Sequence, residues 1–385
     1  MPRAVIDSAV EAVARIITSH SIATAAKNGP MSDSTIDFTL LTRDIKRWGQ
    51  ALGFAQVGIS DIDLSTAEAR LVNWLNNGFH GSMNYMERHG QRRSRPAELE
   101  PGTLRIISAR MDYLPEAQQL ADSVLADPEL GYVSRYALGR DYHKVLRKRL
   151  QQLAERITER VGAFAYRAFV DSAPVLEKAI AEKAGLGWIG KHTNLLNRDA
   201  GSWFFLGELY TNLPLPVDAP VRDHCGTCQA CIDVCPTGAI IAPYQLDARL
   251  CISYLTIELH GAIPEHLRPL IGNRIYGCDD CQLVCPWNRF AQQTPISDFT
   301  PRHGLAAPPL VELFAWTEAE FLQRTEGSPI RRIGYERWLR NIAVALGNAP
   351  SQPDIIAAIN SRLDHPSELV RDHCQWAWRQ HQQLG

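Results

Sequence analysis

The stretch Cys225-Gly-Thr-Cys228-Gln-Ala-Cys231-Ile-Asp-Val-Cys235-Pro236 carries four cysteines separated by two, two and three residues, with a proline after the last. In bacterial proteins such a run wraps three thiolates around one [4Fe-4S] cluster, and the fourth cysteine ligates a second cluster. The stretch therefore predicts a ferredoxin-like segment that holds two clusters.

A second run, Cys278-x2-Cys281-x3-Cys285-Pro286, lacks one cysteine of the same pattern, and Cys251 can supply it. Zinc is the alternative, but zinc sites use paired C-x2-C motifs and do not account for a proline-terminated run with a partner. We predict these ligands: Cys225, Cys228, Cys231 and Cys285 for the first cluster, and Cys235, Cys251, Cys278 and Cys281 for the second.

The distribution of the nine cysteines along the chain indicates the cellular compartment. Eight of the nine cysteines lie between positions 225 and 285, and the first 224 residues contain none. The sequence shows no secretory signal, so this clustering favours metal ligation in a reducing compartment, and we expect a cytoplasmic protein. Cys374, beside Trp376 and Trp378, is expected to be a buried core thiol.

The bulk composition is that of a globular protein, with 45% hydrophobic residues, 21% charged residues and a net charge of -2. A length of 385 residues predicts two or three domains. No apolar run approaches the roughly 20 residues that span a bilayer, so we expect no membrane association. A nucleic-acid footprint would have to be local, because the whole chain carries almost no net charge.

Hydrophobic periodicity divides the chain into an extension and three domains of an overall α+β class. Residues 1–30 are an Ala-rich extension, 31–215 an α/β-type or α+β domain, and 216–300 the ferredoxin-like domain. Paired short helices over 301–385 resemble HEAT repeats, with a plain helical cap as the alternative. The elements predicted before the cysteines are helices over 36–53, 65–77, from Asp141 onward and over 174–185, and strands over 54–59, 104–109, 164–170 and 203–209.

Nucleotide-binding motifs do not explain the 31–215 domain. It contains no P-loop, and Gly185-x-Gly187-x-x-Gly190 follows a predicted helix and not a strand. The residues therefore do not support a flavin or nicotinamide site. A two-cluster segment needs no such large partner, so we expect the clusters to serve chemistry in the preceding domain.

Several motifs together resemble the epoxyqueuosine reductase family, from Met31 to about residue 380. The resemblance is carried by the eight clustered cysteines and by four stretches: Arg140-Asp-Tyr-His143, Val170-Asp-Ser-Ala-Pro174, Ala181-Glu-Lys-Ala-Gly-Leu-Gly-Trp-Ile-Gly-Lys191 and Ile271-Gly-Asn-Arg-Ile-Tyr-Gly-Cys-Asp-Asp-Cys281. It implies a cobalamin enzyme that reduces epoxyqueuosine to queuosine at the wobble position of tRNA anticodons. Cobalamin would be bound by the 31–215 domain and recharged through the two clusters from an external low-potential electron donor.

The resemblance also implies site residues. Asp171 matches the family's proton donor, and burial beside the corrin is expected to raise the pKa of its carboxyl. The alternative for Asp171 is a helix cap. The predicted cofactor contacts are Arg93, Ser134, Asp171, Asn197 and Ser202.

Asp141-Tyr142-His143 resembles the start of the D-x-H-x-x-G motif of proteins in which histidine ligates cobalt, but position 146 is Leu. We therefore interpret Asp141 as a helix cap and His143 as first-turn packing or a corrin contact, and assign no cobalt ligation.

Three basic runs suggest where tRNA would bind, because phosphate contacts dominate nucleic-acid affinity. Two of the runs cover residues 88–95 and 135–149. The third consists of four arginines in the helical region: Arg331, Arg332, Arg337 and Arg340. A solvated surface is the alternative for each run. Tyr142, Tyr276 and Trp338 are candidates for stacking on unpaired bases.

Two other functions stay open from the residues. One is a corrinoid reductase of a small molecule, such as a dehalogenase, although those proteins usually carry a twin-arginine signal. The other is a two-cluster electron-transfer subunit, which would not need the large first domain. We expect the protein to act as a monomer.

Overall fold

The computed structural model describes residues 36–115 and 118–383, and the predicted extension over 1–30 lies outside them. An antiparallel sheet of four strands organises the first part of the chain, in the order β1-β2-β4-β3. The strands are β1 (Gln56–Ser60), β2 (Arg105–Asp112), β3 (Tyr166–Phe169) and β4 (Phe204–Thr211). The four predicted strands are confirmed. Because every pair in this sheet is antiparallel, the domain is α+β, and the α/β-type description is wrong.

Helices cover both faces of the sheet, which is why all eight residues of β4 are buried. The helices of this part are α1 (Phe38–Ala51), α2 (Ser65–Asn76), α3 (Gln118–Ala126), α4 (Tyr142–Val161) and α5 (Glu177–Lys183), with single-turn helices at Tyr85–Arg88 and Pro96–Leu99. Leu146 and Leu150 of α4 pack on one face, against Gly207 of β4. On the other face the chain after α5 approaches so closely that a Cβ on Gly58 would lie 2.0 Å from the Ala184 carbonyl oxygen.

The cysteine runs fold into single helical turns at Ala230–Asp233 and Asp280–Leu283. Strand Tyr132–Val133 pairs in parallel with Arg274–Tyr276 and so joins the first part of the chain to the second cysteine run. The other short pairs are Trp188–Ile189 with Leu195–Leu196 and Ile240–Ala242 with Gln245–Leu246. A helical turn at Arg268–Ile271 and a π-helix at Tyr254–Glu258 complete this region.

The last part of the chain is helical, as predicted. Its helices are α6 (Leu310–Ala315), α7 (Glu318–Arg324), α8 (Gly334–Gly347), α9 (Pro353–Asn360) and α10 (Glu368–Gln383). One hydrophobic core extends from Val133 through Ile275 and Trp338 to Ala377, so residues of all three predicted domains share it. Within the described residues, 37–383 fall in one compact unit, and the domain boundaries stay predictions.

Cys374 is fully buried in α10, which confirms the expected core thiol. No helix in the described part of the chain combines the length and the apolar character needed to cross a membrane.

Candidate active site and cluster centres

Asp171 follows β3 in a conformation that side chains rarely adopt, with φ of +36°. Three groups hold it there. The Tyr142 hydroxyl donates a hydrogen bond to Asp171 Oδ2, and His143 Nε2 lies 3.1 Å from the same oxygen. The Asp171 backbone N–H donates to Glu177 Oε2 over 3.2 Å. Such strain persists only where surrounding contacts over-determine the conformation, and it is common at active sites.

The carboxyl of Asp171 is surrounded by donors. Burial by itself would raise its pKa, but hydrogen bonds from His143 and Tyr142, with the charges of His143 and Arg332, lower the pKa below its ordinary value. In this arrangement the carboxyl does not have the raised pKa that was expected beside the corrin, and that expectation stays a prediction for the corrin-bound state. The helix-cap alternative is not what the structure shows either, because Glu177 accepts the Asp171 amide and no cap bond to Asp171 is formed at α5.

His143 connects Asp171 to two further charged groups. Asp141 caps α4 by accepting the His143 backbone N–H at 3.1 Å, as predicted, and its carboxylate lies 2.7 Å from His143 Nδ1. Arg332, which precedes α8, lies 2.9 Å from the same ring nitrogen and 3.5 Å from Asp141 Oδ2. The buried ring of His143 therefore links the loop that carries Asp171 to the helical region, which agrees with packing in the first turn of α4, and the predicted alternative of a corrin contact stays a prediction.

A cavity of about 190 Å³ opens beside Asp171, and we refer to it as the Asp171 cavity. Its walls combine apolar surface with hydrogen-bonding groups. The apolar wall consists of Tyr113, Tyr142, Phe204, Phe205, Leu195 and Leu206, and the polar groups are Asp171, Glu177, Lys178, Asn194, Ser202 and Gln282. Tyr142 is fixed by parallel stacking on Phe205 with ring centroids 4.0 Å apart.

The predicted cofactor contacts are all buried apart from Asp171, whose side chain is 46% exposed, but only Asp171 and Ser202 line this cavity. Ser134 donates to Asp279 over 2.6 Å, and Asn197 donates to the Leu186 carbonyl over 2.8 Å. Arg93 donates through Nη2 to the Tyr85 carbonyl, while its buried Nε has no partner. The roles of Arg93, Ser134 and Asn197 therefore stay predictions.

Sequence reasoning missed two titratable residues of the cavity, although both lie within the helix predicted over 174–185. Glu177 and Lys178 begin α5, directly after the Asp171 loop. Burial and then the charge of Asp171 raise the pKa of Glu177 to about 8. Burial lowers the pKa of Lys178. An adjacent acid and base soon after Asp171 was the available signal.

A second cavity, of about 240 Å³, is surrounded by Cys225, Cys228, Cys231 and Cys285, and we refer to it as the cluster cavity. These are the four cysteines predicted to share the first cluster. Burial and the neighbouring sulfurs raise the pKa of the Cys231 thiol to about 11. Lys191 fixes one rim by donating to the carbonyls of Gly226 and Cys228, each over 2.8 Å.

The four cysteines of the other predicted set are all half-buried. Burial raises the pKa of the Cys281 thiol, and the nearby charges of Cys251 and Cys235 add to that rise. Cys278 belongs to the same turn as Cys281, and its thiol donates to Asp280 over 2.7 Å. Across residues 36–115 and 118–383, no three His, Cys, Asp or Glu side chains are grouped to hold a single metal ion.

The two regions touch through Gln282. This residue follows Cys281 and lines the Asp171 cavity. Its side-chain amide donates to Ser202 Oγ over 3.0 Å. The Asn288 side-chain amide donates to the same Oγ over 3.1 Å and to the Gln282 backbone carbonyl over 2.5 Å, so the three residues form one buried network. The second cysteine set therefore lies one residue from the wall of the Asp171 cavity.

The predicted tRNA contacts are divided by burial. Trp338 and Tyr276 are buried, so their predicted stacking on bases is wrong. Arg340 is also fully buried and donates to the carbonyls of Leu255, Leu259 and Gly261, which makes it a structural residue. The exposed basic residues that remain in the three runs are Arg88, Arg92, Arg140, Lys144, Arg147, Lys148, Arg331 and Arg332.

Comparisons with known proteins agree with these sites. A family model described as Epoxyqueuosine reductase QueG, DUF1730 matches residues 93–172, and a 4Fe-4S double cluster binding domain matches residues 224–288. The epoxyqueuosine reductase of Pseudomonas aeruginosa is 65% identical over 355 residues, covering 91% of this chain and 98% of the relative. That of Escherichia coli is 62% identical over 343 residues, covering 89% and 90%. The predicted pair of [4Fe-4S] clusters is thus confirmed.

Solved structures resemble the whole described fold. An epoxyqueuosine reductase from Bacillus subtilis, with its catalytic aspartate loop swung out of the active site, gives a TM-score of 0.80 at 28% identity, covering 89% of this chain and 90% of that one. An epoxyqueuosine reductase solved with an epoxyqueuosine-modified stem loop of a tyrosine tRNA gives 0.75 at 26% identity, covering 89% and 99%.

Proposed function

Because the chain belongs to the epoxyqueuosine reductase family, which converts epoxyqueuosine to queuosine in tRNA, we propose that this reduction takes place in the Asp171 cavity. One observation carries the proposal. Asp171 is held on a strained loop in the wall of a cavity that Gln282 connects to the second cysteine set. The small cavity suits the cyclopentane ring of a single modified base, which must be turned out of the anticodon loop to reach it.

Asp171 is proposed as the group that contacts the epoxide oxygen. Tyr142 and His143 orient its carboxyl by binding Oδ2, and the Glu177 carboxylate fixes its backbone. Once it has been protonated, Asp171 passes to the departing oxygen the proton that this oxygen needs. The aromatic wall of Tyr142 and Phe205 excludes water from the reacting face.

The residues of the cavity fit part of a corrinoid. Apolar rings suit its face, and Lys178, Asn194, Ser202 and Gln282 offer donors to its amide groups. The enclosed volume is below the roughly 300–1,000 Å³ of sites that enclose drug-sized ligands, so the walls would contact only the reacting side of the cofactor. Cobalamin, when bound, supplies a strongly reduced cobalt centre for the epoxide carbon, and the two clusters supply its electrons.

The proposed cluster ligands are the two sets predicted from the sequence. Cys225, Cys228, Cys231 and Cys285 already surround one cavity, and exposed Cys228 lies on its outer side. This face is where an external low-potential electron donor would deliver electrons. We place the protein in the cytoplasm and expect it to act as a monomer.

The tRNA surface is proposed for the exposed side of α4. The first turn of this helix directs Tyr142 and His143 toward Asp171, and the following turns expose Lys144, Arg147 and Lys148. Phosphates of an anticodon loop bound there would lie beside the cavity that receives the base. A relative solved with an epoxyqueuosine-modified tRNA stem loop supports the binding of such a stem loop by this chain, and the exposed charges carry its placement on α4.

The test is an anaerobic assay with iron-reconstituted protein, a low-potential reductant and epoxyqueuosine-containing tRNA, with and without cobalamin. Nucleoside mass spectrometry measures loss of one oxygen. We expect conversion that requires cobalamin, and a drop of about 100-fold or more in Asp171→Asn, the range that general acid groups contribute. Undiminished conversion by Asp171→Asn would remove the proposed role of this residue.

A further inference from the structure

Two carboxyl groups share the Asp171 cavity in opposite surroundings. Asp171 receives hydrogen bonds from Tyr142 and His143, which stabilise its carboxylate form. Glu177 accepts the Asp171 amide, so its carboxyl lies beside the charge of Asp171, and the fully buried Glu208 of β4 is also nearby. When carboxyls share a site in this way, the group with acidic neighbours is the one that keeps a proton.

The proposed reaction needs such a proton. Converting an epoxide to an alkene breaks both carbon–oxygen bonds, and the oxygen leaves as water. The change consumes two electrons, which come from the external one-electron donor, and two protons. The carboxylate form of Asp171 is stabilised by its hydrogen bonds. Asp171 therefore cannot supply these protons at neutral pH until it has itself been protonated.

We infer that Glu177 is the proton reserve of the Asp171 cavity and reprotonates Asp171 during the reaction. The inference rests on the function proposed above. Glu177 Oε2 lies 3.2 Å from the Asp171 amide nitrogen, and both side chains line the same cavity. A cavity of about 190 Å³ has room for the water that would carry a proton between them.

The charges around Glu177 agree with this role. The pKa of Glu177 is raised to about 8 by burial and by Asp171, against the smaller lowering effects of Lys178 and His143. Burial and the charge of Glu177 raise the pKa of Glu208 well above its ordinary value, so Glu208 stays neutral. Arg332 acts on Asp171, whose pKa is lowered. The raised pKa of Glu177 and the lowered pKa of Asp171 together favour a proton on Glu177.

The experiment compares pH profiles of single-turnover conversion for the native protein, Glu177→Gln and Glu182→Gln. Glutamine at 177 keeps an oxygen that accepts the Asp171 amide but cannot release a proton. Glu182 is on the same helix, outside the cavity, and accepts the Ile189 amide over 2.8 Å, which glutamine also does. The control therefore makes the same chemical change without touching the cavity.

The expected native rate is highest below pH 8 and falls above it, because Glu177 loses its proton there. Glu177→Gln should lower the rate at pH 7 by about 100-fold, the lower end of general acid catalysis, and abolish that alkaline limb. Glu182→Gln should keep the native rate at pH 7 and the fall in rate at alkaline pH. An unchanged profile in Glu177→Gln, or a limb lost only in Lys178→Met, would overturn the inference.

A second readout does not require turnover. Infrared difference spectra across a titration should contain a protonated-carboxyl band that disappears near pH 8 in the native protein and is missing from Glu177→Gln. A native band with no such titration would contradict the inference. If the band is present but no protein variant converts tRNA, the function proposed for the cavity fails and the assignment of Glu177 stands.

Discussion

The cluster cavity and the Asp171 cavity were accessible to sequence reasoning to very different degrees. Local spacing within two short runs identified all four cysteines that surround the cluster cavity. The Asp171 cavity is lined from five separate stretches, between Tyr113 and Gln282. Of the five cofactor contacts expected there, two line it. Ligands of a compact cofactor are fixed by spacing, whereas the walls of a reaction cavity depend on how distant segments pack.

This difference yields predictions about which changes damage which region. Changes at the cluster cavity should reduce iron content. Changes at the Asp171 cavity should reduce turnover and leave iron in place. The predictions below follow this division, from the largest expected effect to the smallest.

The largest effect is expected for Cys231→Ser, because Cys231 is buried at the cluster cavity. Iron content should fall by about half, and turnover should fall to background. This loss of turnover is greater than the 10- to 100-fold loss that is typical when an outer-shell partner of a metal is changed. Iron analysis and electron paramagnetic resonance measure the change. Full iron content in this variant would contradict the assigned ligand set.

A smaller effect is expected for Tyr142→Phe, which keeps the stacking on Phe205 and removes the hydroxyl that donates to Asp171. Turnover should fall by about 10-fold or more, since a hydrogen bond to a charged group contributes about 1.5 kcal/mol or more. The loss of a donor should also raise the pKa of Asp171. Stability that depends on ionised Asp171 is lost as pH falls through its folded pKa, so acid unfolding of the variant should begin at higher pH. Iron content should not change. A loss of iron would contradict the claim that changes at the Asp171 cavity leave the clusters in place.

A buried basic residue of the helical region can be compared with an exposed basic residue of α4. Arg340→Met leaves three buried carbonyls without their donor and should lower the free energy of unfolding by about 3 kcal/mol, measured by denaturant titration. Lys148→Ala, at an exposed position of α4, should leave stability unchanged and reduce the salt dependence of tRNA binding by a slope of about one. The reverse result for the two variants would contradict the proposed tRNA surface.

The smallest effect is expected for Cys374→Ala. This thiol is fully buried in the core and distant in sequence from the other eight. The substitution should cost about 1 kcal/mol of stability and leave iron content and turnover at native values. A loss of iron would mean that the ninth cysteine is a ligand after all.

Much of the fold followed from the sequence. Periodicity located the four strands and the helices of the last part of the chain, and the Asp141 cap of α4 was identified. The direction of strand pairing did not follow from the sequence, because alternation along the chain does not fix whether neighbouring strands run parallel or antiparallel. All neighbouring strands of the main sheet run antiparallel to each other.

The candidate site shows the same limit. Resemblance supplied Asp171, but the lowered pKa of its carboxyl arises from His143, Tyr142 and Arg332, which only the folded chain brings together. Burial likewise removed Trp338, Tyr276 and Arg340 from the predicted tRNA contacts. Composition identified these residues as suitable for nucleic acid, and tertiary packing determined that they are part of the core.

The most direct test measures cluster reduction and product formation in the same anaerobic sample of Asp171→Asn. Electron paramagnetic resonance would follow the clusters, and nucleoside mass spectrometry would follow the tRNA. The account predicts full iron content, clusters that are reduced as in the native protein, and almost no queuosine. Queuosine formed at the native rate, or loss of the clusters in this variant, would contradict the division of labour between the two cavities.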